Sequence, residues 1–187
     1  MTLDQVDTLS TEISRLALTE QELEDAAKEQ AVLRSLNFPS RPVRHDNIPL
    51  AHEKTFRWMV DPPEDSENDP GHRFHDWLRG GDGIFWVSGK PGSGKSTLMK
   101  FLADHETTRA TLEVWANQVK LVIATHYFWS AGTPMQKCHA GLFQTLLYEI
   151  FRMCPALIPQ VCPVRWAQTS SARTEKNTDW TISELLG

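Results

Sequence analysis

The chain has no run of about 18 apolar residues, so nothing in it reads as a membrane-spanning helix. It opens Met1-Thr2-Leu3-Asp4, without the basic start and apolar stretch of a secretory signal. No cluster of Lys and Arg interleaves with aromatic residues, and the formal net charge is -5. That balance argues against nucleic acid or an anionic membrane as the main partner, because both require a basic face. Cysteine is scarce: Cys138, Cys154 and Cys162 are an odd number at spacings that fit neither a zinc knuckle nor a redox CxxC, and they read as free thiols of a reducing compartment. A cytoplasmic location is the resulting expectation.

What remains is a composition of 40% hydrophobic and 23% charged residues over 187 positions, which fits about one globular domain. Acids dominate the start, where Asp4, Asp7, Glu12, Glu20, Glu22, Glu24, Asp25 and Glu29 are interrupted by Arg15 and Lys28 alone. Val6, Leu9, Ile13, Leu16 and Leu23 follow an a/d heptad spacing, and Thr2 to Gln5 and Thr19 to Glu22 fit capping boxes at helix starts. One long helix or two short ones are expected across residues 1–35. A coiled-coil arm and an amphipathic helix packed on a neighbouring domain are both open, and Glu20 and Gln30, which interrupt the ladder, favour the second.

Residues 36–79 read as a connector followed by helices leading into a second region. Three prolines between Asn37 and Pro49 exclude a regular helix and suggest extended chain. Leu50, Ala51, Lys54, Phe56, Trp58 and Met59 mark a partly amphipathic helix that Asp61-Pro62-Pro63 ends, and His72 to Arg79 a further short one. Beyond the Gly80-Gly81-Asp82-Gly83 turn, Ile84-Phe85-Trp86-Val87 is a continuous apolar run of strand length, as for a strand buried on both faces.

The run leads straight into Gly89-Lys90-Pro91-Gly92-Ser93-Gly94-Lys95-Ser96-Thr97, which fits G-x-x-x-x-G-K-[ST] without a gap. Each residue type has a chemical reason at its place. The glycines permit positive φ and let backbone N–H groups approach phosphate oxygens at a helix N-terminus. Lys95 would reach the β and γ phosphates, the Ser96 hydroxyl would complete the coordination of Mg2+, and Thr97 would lie beside the α phosphate. Leu98, Met99, Phe101 and Leu102 open the helix that the motif requires. ATP or GTP is therefore the expected ligand with Mg2+, and the sequence has no guanine-reading N-K-x-D.

Lys120 to Trp129 is a second strand candidate, and the helix after it carries two apolar ridges, Leu142-Leu146-Ile150 and Phe143-Leu147-Phe151, both read as core. Cys154-Pro155 stops that helix, and Gln168 to Thr178 reads as a polar loop. A hydrolytic P-loop protein needs a second acid at the end of an apolar strand, together with a group that aligns water. Asp82, Asp104 and Asp179 lack the preceding apolar run, so no catalytic residue is assigned. His72 and His75 could pair on a metal but have no third ligand near in sequence. Trp77, Trp86 and Trp129 read as core or interface anchors, not as base-stacking platforms.

The run from Gly83 through the loop to Lys100 resembles the start of the NACHT-type (STAND class) P-loop NTPase of fungal NOD-like receptors, in its nephrocystin-like N-terminal region. Leu36-Asn37-Phe38-Pro39-Ser40 with Arg44, Ala51 to Trp58, Phe128-Trp129-Ser130-Ala131-Gly132, Gly141-Leu142-Phe143 and Leu146-Leu147-Tyr148 carry the resemblance further. The resemblance implies an α/β three-layer sandwich, represented here by its first two strands and preceded by the helical segment, with residues 80–187 as the N-terminal part of the NTPase. It implies a nucleotide-dependent oligomerisation switch, favours ATP, and makes Val43 and Arg44 candidates for holding the base. It also implies a fragment that ends before the magnesium-binding and catalytic acids. Partners would be nucleotide and further copies or longer relatives, with an ATPase or kinase completed by another chain, or an interaction fragment acting through its N-terminal helix, as alternatives.

Overall fold

The computed structural model describes residues 3–52, 55–61, 69–80, 83–169 and 179–186, with side chains from Arg15 onward. The chain divides into two compact units, one of residues 1–38 and 139–187 and the other of residues 39–138.

The first unit is built on α1, Leu3–Leu36, a single helix of 34 residues. Its C-terminal part packs on α7 (His139–Met153) and α9 (Pro163–Thr169), while α10 (Ile182–Leu186) also packs on α7. Val32, Leu36, Phe151 and Ile158 are almost wholly out of water, with Cys162, Trp180 and Leu185 beside them. Full burial of each such side chain is worth roughly 1.5–3 kcal/mol. Of the two expected ridges of α7, Phe143, Leu147, Ile150 and Phe151 reach this core, whereas Leu142 and Leu146 are half-buried. The helix ends at Cys154-Pro155, as expected, and beyond it α8 (Ile158–Val161) and α9 each have a proline within their first turn, where the missing N–H has no intrahelical partner to lose.

Side chains close this unit. Thr181 and Glu184 form a reciprocal capping box at the start of α10, the Thr181 N–H donating to Glu184 at 2.9 Å and the Glu184 N–H to the Thr181 hydroxyl at 3.3 Å. Arg165 donates to Glu184 at 3.1 Å and lies 4.3 Å from the Trp180 ring, and the Trp180 indole donates to Ser35 on α1. The Thr181 backbone N–H and then Arg165 hold the Glu184 carboxyl down at about 2.

The second unit contains α2 (Val43–Asn47), α3 (Arg57–Val60), α4 (Pro70–Gly80), α5 (Lys95–Asp104) and α6 (Glu106–Ala116). Phe74 and Leu78, four residues apart on α4, join Met59 and Val60 of α3 and Leu98 and Leu102 of α5 in one buried cluster. The His105 imidazole accepts from the Thr107 N–H at 3.1 Å and so starts α6 one residue after α5 stops.

This architecture overturns the expected α/β sandwich: no strand occurs among the described residues, and every regular element is helical. Ile84 to Ser88 and Leu121 to Phe128 lie between helices and carry no strand, and a strand exists only through a partner strand's hydrogen bonds. Nor is the first segment covered on two sides. Phe85 and Val87 pack on the α4–α5 cluster, while Ile84 and Trp86 are 86% and 81% exposed. The apolar run thus reported apolar content correctly and misreported which faces are covered. Two helix boundaries differ as well. The expected helix from Leu50 contracts to Arg57–Val60, with Leu50 81% exposed, and α2 forms directly after Pro42 inside the proline-rich connector.

Candidate functional site

The nine residues of the phosphate-loop motif form the bend between the extended segment and α5. Pro91 and Gly92 turn the chain, with Gly92 at φ 78°, and the Ser93 N–H closes the turn onto the Lys90 carbonyl at 3.2 Å. Gly94 then takes the left-handed conformation at φ 84° and is the N-cap of α5, with no side chain to cap the helix. Only glycine takes that conformation without strain. Gly89 is held equally closely: a Cβ there would meet the Ser93 hydroxyl at 2.9 Å.

The first hydrogen bond of α5 runs from the Leu98 N–H to the Gly94 carbonyl at 2.8 Å. The N–H groups of Lys95, Ser96 and Thr97 precede it, where a helix has donors but no intrahelical acceptors. Lys95 sends its side chain back across the loop and donates to the carbonyls of Gly89 at 2.8 Å and Lys90 at 2.9 Å. One ammonium is therefore held at the mouth of a ring of backbone, beside the positive end of a ten-residue helix. The Ser96 and Thr97 side chains are half-buried in the same turn. This donor set fits a polyphosphate: backbone N–H groups and one fixed cation for the anion, and one hydroxyl oxygen for a hard divalent cation.

Two supports of the loop gave no sequence signal. Phe56, at the start of α3, brings its ring tip to 3.8 Å from where a Cβ on Gly94 would stand, and it packs on Phe101 with ring centroids 5.8 Å apart. Lys100 is buried, at 7% exposure, and donates to the carbonyls of His45 at 2.8 Å and Ile48 at 3.1 Å. Helical spacing put Met99 among the apolar residues, yet Met99 is 45% exposed and Lys100 faces inward. The acceptors that hold this lysine are main-chain atoms, which no residue type reveals.

The base-holding candidates lie with α2. Val43 is 39% exposed, and the Arg44 guanidinium sits 5.6 Å from the Trp129 ring. Next to them His45 faces Asp104, at the far end of α5 from the loop, with 3.6 Å between Nε2 and the carboxylate, and the His45 ring is 5.9 Å from that of Tyr127. Burial, reinforced by Asp104, pushes the Tyr127 hydroxyl up to about 12. Asp104 thus belongs to this cluster.

The other candidates take structural positions. His75 shares a 2.8 Å hydrogen bond with the Val60 carbonyl, and among the described residues no group of three or more His, Cys, Asp or Glu could hold a metal ion. Trp77 packs against Phe74 and Phe85. Trp86 is no core anchor, since it is turned outward. The three cysteines are free thiols, and burial pushes that of Cys162 up. Asp82 and residues 170–178 of the expected polar loop lie outside the described residues. No described helix is long and apolar enough to cross a membrane.

A family model described as nephrocystin 3, N-terminal, matches residues 70–187, a span that includes the whole loop and α5. No curated protein and no solved structure matches the chain.

Proposed function

The chain belongs to the nephrocystin 3 N-terminal family, and we propose that within it this chain binds a nucleoside triphosphate with Mg2+ through the loop Gly89 to Thr97. The observation that carries the reading is the Lys95 ammonium, held by two loop carbonyls beside the uncapped start of α5. An ammonium already positioned there needs little reordering to meet a β or γ phosphate, and the neighbouring N–H groups supply donors that no side chain has to provide. Ser96 would hold the magnesium ion and Thr97 would lie at the α phosphate. Resemblance to the NACHT-type NTPases favours ATP and a switch-like use of binding.

Calorimetric titration of the chain with ATP and with GTP, each with and without Mg2+, tests this reading. Saturable binding that requires Lys95 supports it. Equal heats from the parent chain and Lys95→Ala would falsify it.

A further inference from the structure

The helix α1 carries two different faces. Lys28, Val32 and Leu36 are buried against the first unit, Lys28 lying 5.5 Å from the Trp166 ring. Upstream, every side chain from Arg15 to Glu24 is exposed, Leu16 and Leu23 at 68% each. With Val6 numbered as heptad position a, Ile13 is also a, and Leu9, Leu16 and Leu23 are d. In the same frame Lys28, Val32 and Leu36 fall at b, f and c. At 3.6 residues per turn the docked face and the a/d stripe are centred roughly 130° apart around the helix. Docking of the C-terminal part therefore leaves the described residues of the stripe, Leu16 and Leu23, uncovered.

Leucines that face water, as Leu16 and Leu23 do, gain no burial, and a helix segment of about 20 residues is marginal by itself. The residue types say what fits it. β-branched residues at a with leucine at d are the combination that favours two parallel strands. In a parallel pair each g residue faces the e residue of the next heptad on the other chain, which here pairs Gln5 with Ser10, Glu12 with Ala17 and Thr19 with Glu24. None is a like-charge pair. Asp4, Asp7, Glu22 and Asp25 fall at f, b, c and f, on the solvent side, whereas Glu12 and Glu24 flank the seam and Glu20 lies within it.

We propose that the stripe from Val6 to Leu23 is a dimer seam whose occupant is the same stripe of a second copy of this chain, in parallel register. Glu20 lies at an a position of that seam, where it meets its own counterpart and weakens the pairing.

Sedimentation equilibrium of the full chain tests the seam. The parent should be a dimer that dissociates on dilution, and Leu9→Asp with Leu16→Asp should be a monomer. Its thermal unfolding, followed by the buried Trp180, should stay that of the diluted parent, which separates loss of pairing from loss of fold. Glu20→Leu should tighten the dimer roughly tenfold or more. A monomer at high micromolar concentration for both the parent and Glu20→Leu would overturn the proposal. So would a dimer that survives the double aspartate variant, or a trimer. A dimer that the aspartates abolish but Glu20→Leu fails to tighten would overturn the parallel register.

Discussion

Ser96 stands one residue beyond Lys95 in the first turn of α5, half-buried and close to where the loop opens. With the hydroxyl removed, the proposed magnesium ligand is gone while the anion donors remain. Ser96→Ala is expected to flatten the difference between titrations with and without Mg2+ and to leave metal-free binding near that of the parent. Lys95→Ala should act the other way. A charge-assisted hydrogen bond contributes about 1.5–3 kcal/mol, so triphosphate affinity should fall roughly 10- to 100-fold, and diphosphate affinity by less. Titrating both nucleotides into both variants checks the pair, and an unchanged Mg2+ requirement in Ser96→Ala would remove that residue from the site. At this scale the motif was legible, because it consists of nine consecutive residue identities, and the structure adds the left-handed Gly92 and Gly94 and the helix that starts at Lys95. Lys100 and Phe56 were not legible, since what they do depends on a carbonyl and on a missing Cβ far away in sequence.

Glu184 ties α10 to α9 through Arg165 and caps its own helix through Thr181. Its carboxyl is depressed from 4.5 to about 2, so the charged form is favoured by folding. That contribution is complete above the unfolded value near 4.5 and is lost as pH falls from there toward 2. The side chain is 38% exposed, so solvent screens much of it and the effect should be small. Denaturation midpoints of the parent and Glu184→Gln are expected to differ at neutral pH and to converge as pH approaches 2. A gap that stays constant across that range would mean the carboxylate charge contributes nothing. Element existence was largely readable here: α4, α5, α7 and the long α1 all follow apolar spacing or capping signals. Their limits were readable only in part: Cys154-Pro155 ends α7 as read. His105 separates α5 from α6 through a side-chain cap, and Pro42 precedes α2 where proline content suggested extended chain. A breaker in the wrong turn breaks a helix, and in the first turn it begins one.

For the whole molecule, the expectation that failed was the sheet. The apolar run Ile84-Phe85-Trp86-Val87 was read as a strand buried on both faces, but coverage is a property of neighbours, and the α4–α5 cluster covers one face of residues 84–88. Ile84 and Trp86 are left facing water next to the loop. Neighbouring exposed apolar side chains favour association between chains. Replacing both by threonine should lower light scattering at a given concentration and temperature, without a loss of helical signal. Scattering that does not change would place the sticky surface elsewhere. The division into two units was likewise hidden, because the first unit joins residues 1–38 to residues 139–187 across a hundred intervening positions.

The buried amine of Lys100 has a consequence for reactivity. Both of its bonds go to carbonyls in the connector, and little of it meets solvent, whereas Lys90 in the loop is open. An acylating reagent can modify Lys100 only in the moments when residues 45–48 have lifted from α5. The yield of acylated Lys100 relative to acylated Lys90, read by mass spectrometry from one digest, should therefore start near zero and grow at the rate at which the connector detaches. Equal yields from the first time point would mean that this amine does not hold it. Lys100 thus records, in stable covalent form, how often the segment ahead of the loop comes loose.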